Sequence, residues 1–461
     1  MKASPNSLHT RDVAYLVHPA TNPRRHEQVG PTIIDRGSGI HVYDDQGREF
    51  IEAMSGLWSV AVGFGEERLV QAAARQLGRL PYYHAFGHSS NGPAIELAEK
   101  LVRMTPDGLN HVLFANSGSE ANDTVVKIVW YYNNALGRPE KKKFIARLGG
   151  YHGSTVASAS LTGLAINQRG FDLPLSFVRY VSCPYAYRFD VPGETEADFT
   201  DRLAAELEAL ILEEGPETVA AFIGEPLMGA GGVLIPPAGY WQRVQDICRR
   251  YEVLVVADEV ICGFGRLGTL FGSDHYGIAP DIMVLSKQLT SSYQPLAAIV
   301  MSDPIYDGIA DGSDEFGVFG HGSTTGGHPV AAAVALENLA IIEERGLVPN
   351  AATVGADLQR ALLGFAEHPL VGEVRGVGLI AAVELVADKA SRATFQPEGQ
   401  VGSFLTERAR EHGLIVRSIH DTIAFCPPMI ITAVQCRDLV ARFGRALDDT
   451  MNWVEAGQPA V

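Results

Sequence analysis

Three polar residues, Asp258, Lys287 and Glu225, each follow directly on an apolar run of four or five residues. Taken singly, an acid after such a run is often a helix cap, and a lysine there is usually a solvated surface residue. Together they place an acid and an amine at one edge of a predicted sheet, 287 − 258 = 29 residues apart, about the length of one strand–helix–strand unit. This coincidence favours a shared chemical site over unrelated surface residues.

A fourth segment has the features of a phosphate site. The apolar run His111–Ala115 leads into Asn116–Glu120, which opens a predicted helix. Free N–H groups and the positive end of the helix dipole favour a dianionic phosphate, and Gly118 lets the backbone approach it closely. The alternative is a plain capping segment with Ser117 or Ser119 as the cap. Spacing alone leaves both interpretations open.

The elements that must position these residues alternate along the chain. Short apolar strands separated by amphipathic helices predict a mainly parallel sheet covered on both faces, and ligands of such sheets lie beyond the carboxyl ends of the strands. Residues 1–30 are expected to form an irregular arm, and the last part of the chain a smaller α+β lobe. The predicted strands of the sheet are 111–115, 143–146, 219–223, 253–257 and 282–286, and the main predicted helices are 120–136, 202–213, 241–251 and 329–344.

Composition narrows the class of protein. The chain has 461 residues, 46% hydrophobic and 20% charged, as in ordinary soluble globular proteins. Its 37 Lys and Arg against 54 Asp and Glu give a net charge of −17, which would repel nucleic acids and anionic membranes. Five scattered cysteines argue against a disulfide scaffold. Because neither a signal-peptide pattern nor an apolar run of about 18 residues is found, we expect a soluble cytoplasmic protein.

Several short motifs occur across most of the chain: Asn116–Asn122, Gly150–Gly153, Gly224–Pro226, Asp258–Val260 with Gly263–Arg266, Ser286–Lys287 and His321–Thr324. In this order and combination the sequence resembles the class III aminotransferases, in particular the ω-transaminases (amine–pyruvate transaminases). Each motif alone is weakly specific, whereas the full set is highly specific.

The resemblance implies a pyridoxal 5′-phosphate (PLP) enzyme of fold type I, an α/β protein with a mainly parallel seven-stranded central sheet in a large domain and a smaller α+β domain. It implies that residues 1–60 form an arm and hairpin belonging to the small domain, 61–328 the large cofactor-binding domain, and 329–461 the C-terminal small domain. It also implies a homodimer with shared active sites, and whether dimers pair into tetramers stays open. The implied reaction moves an amino group from an amine or ω-amino acid to a keto acid such as pyruvate.

The resemblance also assigns roles to individual residues. Lys287 would form an imine with the cofactor aldehyde, and Asp258 would pair with the pyridine nitrogen. Tyr151 would stack on one face of the ring, and Val260 would pack on the other. The remaining cofactor contacts would come from Ser117, Gly118 and Ser119 at the phosphate, joined there by the partner subunit's Thr324, and from His152 and Glu225 around the ring.

For the substrate, the resemblance points to Trp58 as an aromatic wall, with simple core packing as the alternative. Arg417 matches a mobile arginine that binds the carboxylate of a keto acid and swings away for an uncharged amine; the alternative is a surface arginine that ends a strand. A guanidinium suits a carboxylate because it can donate two parallel hydrogen bonds. Further pocket positions are Leu57, Phe86, Tyr151, Ala230 and Ile261.

Two positions depart from the family pattern. Ala20 stands where ω-transaminases often have a large residue, and Ser323–Thr325 lacks the aromatic residue that is common on each side of the threonine. The hypothesis is that the pocket and its entrance are widened, so that bulky or long amines are accepted.

Other functions compete with transamination. A PLP enzyme could instead catalyse decarboxylation, racemisation or an intramolecular amine shift, and a non-catalytic protein could use the same scaffold. Gly263–Gly268 matches a dinucleotide-binding pattern, but acidic residues separate it from its strand and no helix is predicted to follow. His84 and His88 are spaced like two metal ligands without a third, so no metal site is expected.

Overall fold

A computed structural model of the chain describes residues 6–457, so residues 1–5 of the predicted arm lie outside it. The strands are β1 (Ile34–Ser38), β2 (His41–Asp44), β3 (Glu49–Glu52), β4 (Leu109–Ala115), β5 (Lys143–Arg147), β6 (Val178–Val181), β7 (Val219–Gly224), β8 (Leu254–Asp258), β9 (Ile282–Leu285), β10 (Ala297–Ser302), β11 (Val371–Val377), β12 (Ile380–Leu385), β13 (Leu414–Ile415), β14 (Arg417–Ile419) and β15 (Thr422–Phe425).

The helices of the described residues are α1 (Leu8–Tyr15), α2 (Pro23–Val29), α3 (Ser55–Trp58), α4 (Glu67–Arg79), α5 (Gly92–Met104), α6 (Gly118–Ala135), α7 (Val156–Leu161), α8 (Ala186–Phe189), α9 (Glu196–Glu214), α10 (Tyr240–Arg250), α11 (Gly272–Tyr276), α12 (Asp303–Phe316), α13 (Pro329–Glu344), α14 (Leu347–Leu363), α15 (Gln400–Glu411) and α16 (Ala433–Glu455). Of these, α3 is irregular, because its two central residues leave helical geometry.

A seven-stranded sheet with the order β4-β10-β9-β8-β7-β5-β6 forms the centre of the fold. Only β10 runs antiparallel to its neighbours, β4 and β9. Alternate side chains enter opposite cores: Ile223 and Val256 join the cluster that contains α6, whereas Phe222 and Val255 join the cluster that contains α9 and α10. Strands buried on both faces explain the near-continuous apolar runs in the sequence. The mainly parallel α/β sheet predicted from the sequence is therefore confirmed.

Two smaller sheets complete the architecture. The N-terminal hairpin belongs to the sheet β1-β2-β3-β13, in which β13 pairs in parallel with β3 through Leu414 opposite Ile51. The other sheet has the order β11-β12-β15-β14 and is antiparallel. The beginning and the last quarter of the chain are thus joined by backbone hydrogen bonds. Among residues 6–457, no helix is both long and apolar enough to cross a membrane.

The prediction of an irregular N-terminal arm is wrong for residues 8–15 and 23–29, which are helical. Ser7 caps α1 by accepting a hydrogen bond from the Thr10 amide at 3.2 Å. Asn22 caps α2 by accepting from the two following free amides at 3.0 and 3.2 Å, and Pro23 occupies the first helical position. Both are standard helix starts that the proline and histidine content of the segment obscured.

Candidate active site

A cavity of about 280 Å³ opens at the carboxyl edge of the seven-stranded sheet, where β4, β7, β8 and β9 end. Its lining includes the predicted cofactor residues Ser117, Gly118, Ser119, Tyr151, His152, Glu225, Asp258, Val260 and Lys287. Because parallel strands end at the same edge, Ser117 and Lys287 meet here although they are 170 positions apart (287 − 117 = 170). Of the predicted cofactor contacts, only Thr324 lies outside this lining.

Asp258, the last residue of β8, is a buried and strongly oriented carboxylate. Its Oδ2 accepts hydrogen bonds from Nδ1 of His152 at 2.8 Å and from Nδ2 of Asn122 at 2.9 Å. Its Oδ1 accepts from the amide of Val260 at 3.2 Å. Within residues 6–457 no lysine or arginine forms an ion pair with it, and His152 is its only ion-pair partner. The carboxylate is therefore suited to hold a cationic N–H group of a ligand in the cavity.

Lys287 follows β9, the strand next to β8, and its backbone φ is 48°. A non-glycine residue in this left-handed region is strained, and such strain is typical of active sites. Burial lowers the pKa of its amine to about 8, and the negative charges of Asp258 and Glu225 oppose this shift. A substantial fraction of the amine is therefore neutral near pH 8, as a nucleophile or general base requires.

Glu225, directly after β7, links two loops at the cavity. Its Oε1 accepts a hydrogen bond from the Tyr151 amide at 2.9 Å, and its Oε2 accepts from the Gly229 amide at 2.9 Å. Burial raises the pKa of this carboxyl group. Glu225 thus fixes the backbone of Tyr151, whose ring faces the cavity.

The start of α6 has free backbone donors at the cavity. Ser117 is the helix cap and accepts from the Glu120 amide at 3.2 Å. The Oγ of Ser119 accepts from the Ser154 amide at 3.0 Å. A Cβ atom added to Gly118 would lie 3.1 Å from a Val260 methyl group, so a larger residue here would require Val260 to shift. The exposed N–H groups and the dipole of an 18-residue helix are a good binding site for a phosphate.

The residues predicted to bind substrate occupy several different environments. Ile261 lines the cavity. Trp58 is 1% exposed and shares a buried cluster with Ile261, and its Nε1–H has no acceptor among the described residues. Leu57 and Phe86 are 57% and 48% exposed. Ala230 is half-buried and Ala20, with φ 50°, is exposed.

Arg417, the first residue of β14, is half-buried. Its guanidinium makes no hydrogen bond or ion pair with any residue between 6 and 457. Burial lowers its pKa, and the nearby Tyr151 opposes this effect. A guanidinium without an anionic partner, close to a residue of the cavity wall, is suited to receive a carboxylate.

The loop that contains Thr324 is anchored to other residues of the chain, while Thr324 itself is exposed. Tyr82 donates from its hydroxyl to the Thr324 carbonyl at 2.6 Å. Ser323 donates to the carboxylate of Glu120, and Thr325 donates to Oδ1 of Asn116 at 2.8 Å. The side chain of Thr324 therefore does not reach the cavity of its own chain.

Asn122 is a residue of the site that has no role in the sequence analysis, although it stands in the motif that ends at this position. Asn122 is buried, lines the cavity, and donates both to Asp258 and to the carbonyl of His152, the latter at 2.7 Å. The available signal was its helical spacing: it lies four residues after Gly118, so both face the same side of α6. Asn122 therefore orients the carboxylate of Asp258 from the second turn of α6.

A cluster of Asp12, His18 and His26 brings three potential metal-binding atoms within 4.8 Å of one another. However, the Nε2 atoms of the two histidines lie 2.9 and 2.8 Å from Oδ1 of Asp12. These are hydrogen-bond lengths, whereas ligands about 2.0–2.2 Å from a tetrahedral zinc stand roughly 3.3 Å apart. The cluster ties α1 to α2. His84 and His88 belong to no such cluster within the described residues.

The donor set of the cavity fits a phosphorylated pyridine aldehyde. The α6 N-terminus can hold the phosphate, Asp258 a protonated ring nitrogen, and Lys287 the aldehyde carbon. In addition, Nε2 of His152 and Oδ1 of Asn122 are buried without a partner among residues 6–457, as expected where a ligand completes a site.

Comparison with known proteins identifies the family. The family Aminotransferase class-III matches residues 22–447. The omega transaminase from Pseudomonas jessenii, solved in complex with PMP, is 60% identical, with a TM-score of 0.97 over 98% of this chain and 100% of that chain. A thermostable omega transaminase variant engineered for asymmetric synthesis of enantiopure bulky amines is 61% identical, with a TM-score of 0.97 over 97% of this chain and 100% of its own. Gamma aminobutyrate transaminase 1, mitochondrial, of Solanum lycopersicum is 48% identical over 441 residues, which are 95% of this chain and 86% of the relative.

The sheet, the site at its carboxyl edge and these matches define a PLP-dependent enzyme of fold type I. More narrowly, the chain belongs to the class III aminotransferases, and its cofactor is PLP. The expectations of fold, enzyme class and cofactor drawn from the sequence are confirmed.

Proposed function

We propose that the protein transfers an amino group from an uncharged amine or ω-amino acid to a keto acid such as pyruvate, in two successive half-reactions on one site. The observation that carries this proposal is the placement of Lys287 and Asp258 at the ends of two adjacent parallel strands that face one cavity. When bound there, PLP supplies an electron-withdrawing ring that stabilises negative charge on the substrate carbon.

The residues of this chain divide the remaining work. Lys287 would hold the cofactor through a covalent bond to its aldehyde carbon, formed with loss of water, and as a neutral amine it would move a proton between the substrate carbon and the cofactor. Its lowered pKa supports this role. Asp258 keeps the ring nitrogen protonated, and Tyr151 and Val260 cover the two faces of the ring. Gly118 presents the start of α6 to the phosphate.

For substrate binding, we propose that Arg417 holds the carboxylate of the keto acid. The support is its half-buried, unpartnered guanidinium beside Tyr151. The solved relative engineered for bulky amines and the plant relative named for gamma aminobutyrate both belong to the same family. We further propose that the small residues Ala20 and Ser323 widen the pocket and its entrance for bulky or long amines.

We also propose a homodimer in which the partner subunit's Thr324 completes the phosphate site. Two observations support it: Thr324 is exposed on a loop that its own chain anchors, and the nearby Phe86 is a half-exposed aromatic that contacts this loop at Gly322. The described cysteines are all buried and free, which fits a reducing compartment such as the cytoplasm.

The test is a panel of amines with pyruvate as acceptor, with alanine formation as the readout, for the wild type and Lys287→Ala. Lys389→Ala, which replaces an exposed lysine distant from Lys287 in the sequence, is the matched control. We expect pyruvate-dependent turnover of at least one amine by the wild type and the control, and none by Lys287→Ala. Amine turnover that needs no keto acid would instead indicate decarboxylation or an amine shift, and would refute transamination.

A further inference from the structure

A strained hairpin borders the proposed substrate pocket. Residues 228–234 are closed by two backbone hydrogen bonds between Met228 and Leu234, of 2.8 and 3.1 Å. Within the turn, Val233 has φ 55° although it is β-branched and fully buried. Such a residue is a conformational outlier that persists only where its surroundings hold it in place.

The hairpin is directly connected to the residues of the site. The Gly229 amide donates to Glu225, whose other oxygen accepts from the amide of Tyr151. A Cβ atom added to Gly231 would lie only 2.3 Å from the carbonyl oxygen of Gly149, so the hairpin packs tightly against the loop that leads into Tyr151. The position of the hairpin therefore determines where Glu225 and the backbone of Tyr151 lie.

Arg375 of β11 holds the hairpin from the opposite side. Its Nε donates to the carbonyls of Gly232 and Val233 at 3.1 and 3.0 Å, and its Nη2 donates to Gly232 at 2.7 Å. The side chain is buried, with 8% of the residue exposed. One guanidinium thus donates to the carbonyls of both Gly232 and Val233. A lysine could not donate to both in the same fixed geometry.

The other nitrogen of the guanidinium fixes Arg375 itself. Its Nη1 donates to Glu373 and Glu384 at 2.7 Å each, and it also bonds the hydroxyl of Tyr185 at 2.5 Å. These two carboxylates neutralise the buried cation. The carboxylate of Glu384 also accepts a hydrogen bond from Arg188 at 2.5 Å. The network is balanced in charge and rigid, so it can transmit its geometry to the turn.

We propose that Arg375 is a positioning residue for the transamination: by clamping the 228–234 hairpin it sets the placement of Glu225, Tyr151 and the pocket wall at Ala230. This inference rests on the proposed function. Loosening the clamp shifts the wall against which the cofactor and the amine are oriented, and a misplacement of about 1 Å can lower the rate about 100-fold.

The experiment compares Arg375→Lys with Arg68→Lys. Arg68 also donates to two carboxylates, Glu337 and Glu344, but it contacts neither the hairpin nor the network of Arg375, so it controls for a purely structural loss. We expect Arg375→Lys to lower kcat/KM for the amine by about 10- to 100-fold and to alter the visible circular dichroism of the bound cofactor, which reports ring orientation. Arg68→Lys should leave both close to wild type at a comparable melting temperature.

Several results would overturn the positioning role: unchanged kcat/KM and dichroism in Arg375→Lys, or equal losses in the two variants. If Arg375→Lys does not fold, the double variant Arg375→Gln/Glu384→Gln, which removes both charges together, is held to the same criteria. The proposed function itself would be refuted if the wild type showed no cofactor absorbance or no amine turnover. That failure is seen in the wild type before any substitution is made, so it can be distinguished from a failure of the positioning role.

Discussion

His152 and Asp258 are joined by a 2.8 Å hydrogen bond between Nδ1 and Oδ2, with both side chains almost completely buried. Asn122 donates to the same oxygen, so the carboxylate has one orientation. Because a carboxylate only accepts, the proton of the His152 bond lies on Nδ1. This arrangement leaves the negative charge of Asp258 directed at the cavity, where it can hold a protonated ring nitrogen.

We predict that Asp258→Asn lowers kcat for amine transfer about 1000-fold. A carboxylate about 4 Å from a cation contributes roughly 4 kcal/mol at an effective dielectric of 20, which corresponds to about 3 pKa units of the ring nitrogen. The measurement is steady-state turnover with saturating cofactor. The control is Asp281→Asn, which removes a half-buried carboxylate at the opposite edge of the sheet, where it accepts from the Val255 amide. Retention of more than a tenth of wild-type kcat by Asp258→Asn would contradict the role.

The lowered pKa of Lys287 predicts a pH-dependent stability of the cofactor-free protein. The folded pKa of about 8 lies below the value of about 10.4 for an unfolded lysine. The unfolded state therefore binds more protons between these values, so the contribution of Lys287 becomes less unfavourable as the pH rises through this window. We predict that Lys287→Met raises the free energy of unfolding by at most about 3 kcal/mol at pH 7 and by little at pH 10.5.

Urea denaturation at the two pH values, at one protein concentration, measures this difference. The matched control is the exposed Lys389→Met, for which no pH-dependent gain is expected. The same gain for Lys287→Met at both pH values would show that the effect comes from packing and not from the ionised amine.

Arg417→Leu should impair the keto-acid half of the reaction alone. Losing a charged hydrogen-bond donor to a carboxylate costs about 1.5–3 kcal/mol, which lowers kcat/KM for pyruvate by about 10- to 100-fold. An aldehyde acceptor without a carboxylate should react equally well with both enzymes, and so should the uncharged amine donor. Parallel losses for pyruvate and the aldehyde would argue that Arg417 supports the pocket without binding the carboxylate.

Ala20→Phe tests the widened pocket. A large side chain at this position should lower kcat/KM for a bulky amine more than for a small one, because only the bulky amine needs the space. The comparison is made with two amines that differ in size alone. Ala20→Ser, which keeps a small side chain at this exposed position, serves as the control. Equal losses for both amines would count against a steric role.

The sequence was informative where chemistry depends on strand ends. Asp258, Lys287 and Glu225 were found because parallel strands deliver their last residues to one edge, so that a local pattern predicts a spatial arrangement. The sequence around Arg375 contains no such signal. Its hydrogen bond to Val233 joins residues 142 positions apart (375 − 233 = 142) and depends on tertiary packing. The helices of the N-terminal arm are hard to predict because they have only eight and seven residues and bury none of them, so no apolar periodicity marks them.

Reduction of the holoenzyme with borohydride, followed by peptide mapping, shows which side chain binds the cofactor covalently. We expect the reduced cofactor on the Nζ of Lys287, in the peptide that follows β9, and on no other side chain. Attachment to a different lysine, or recovery of the cofactor without any covalent attachment, would contradict it.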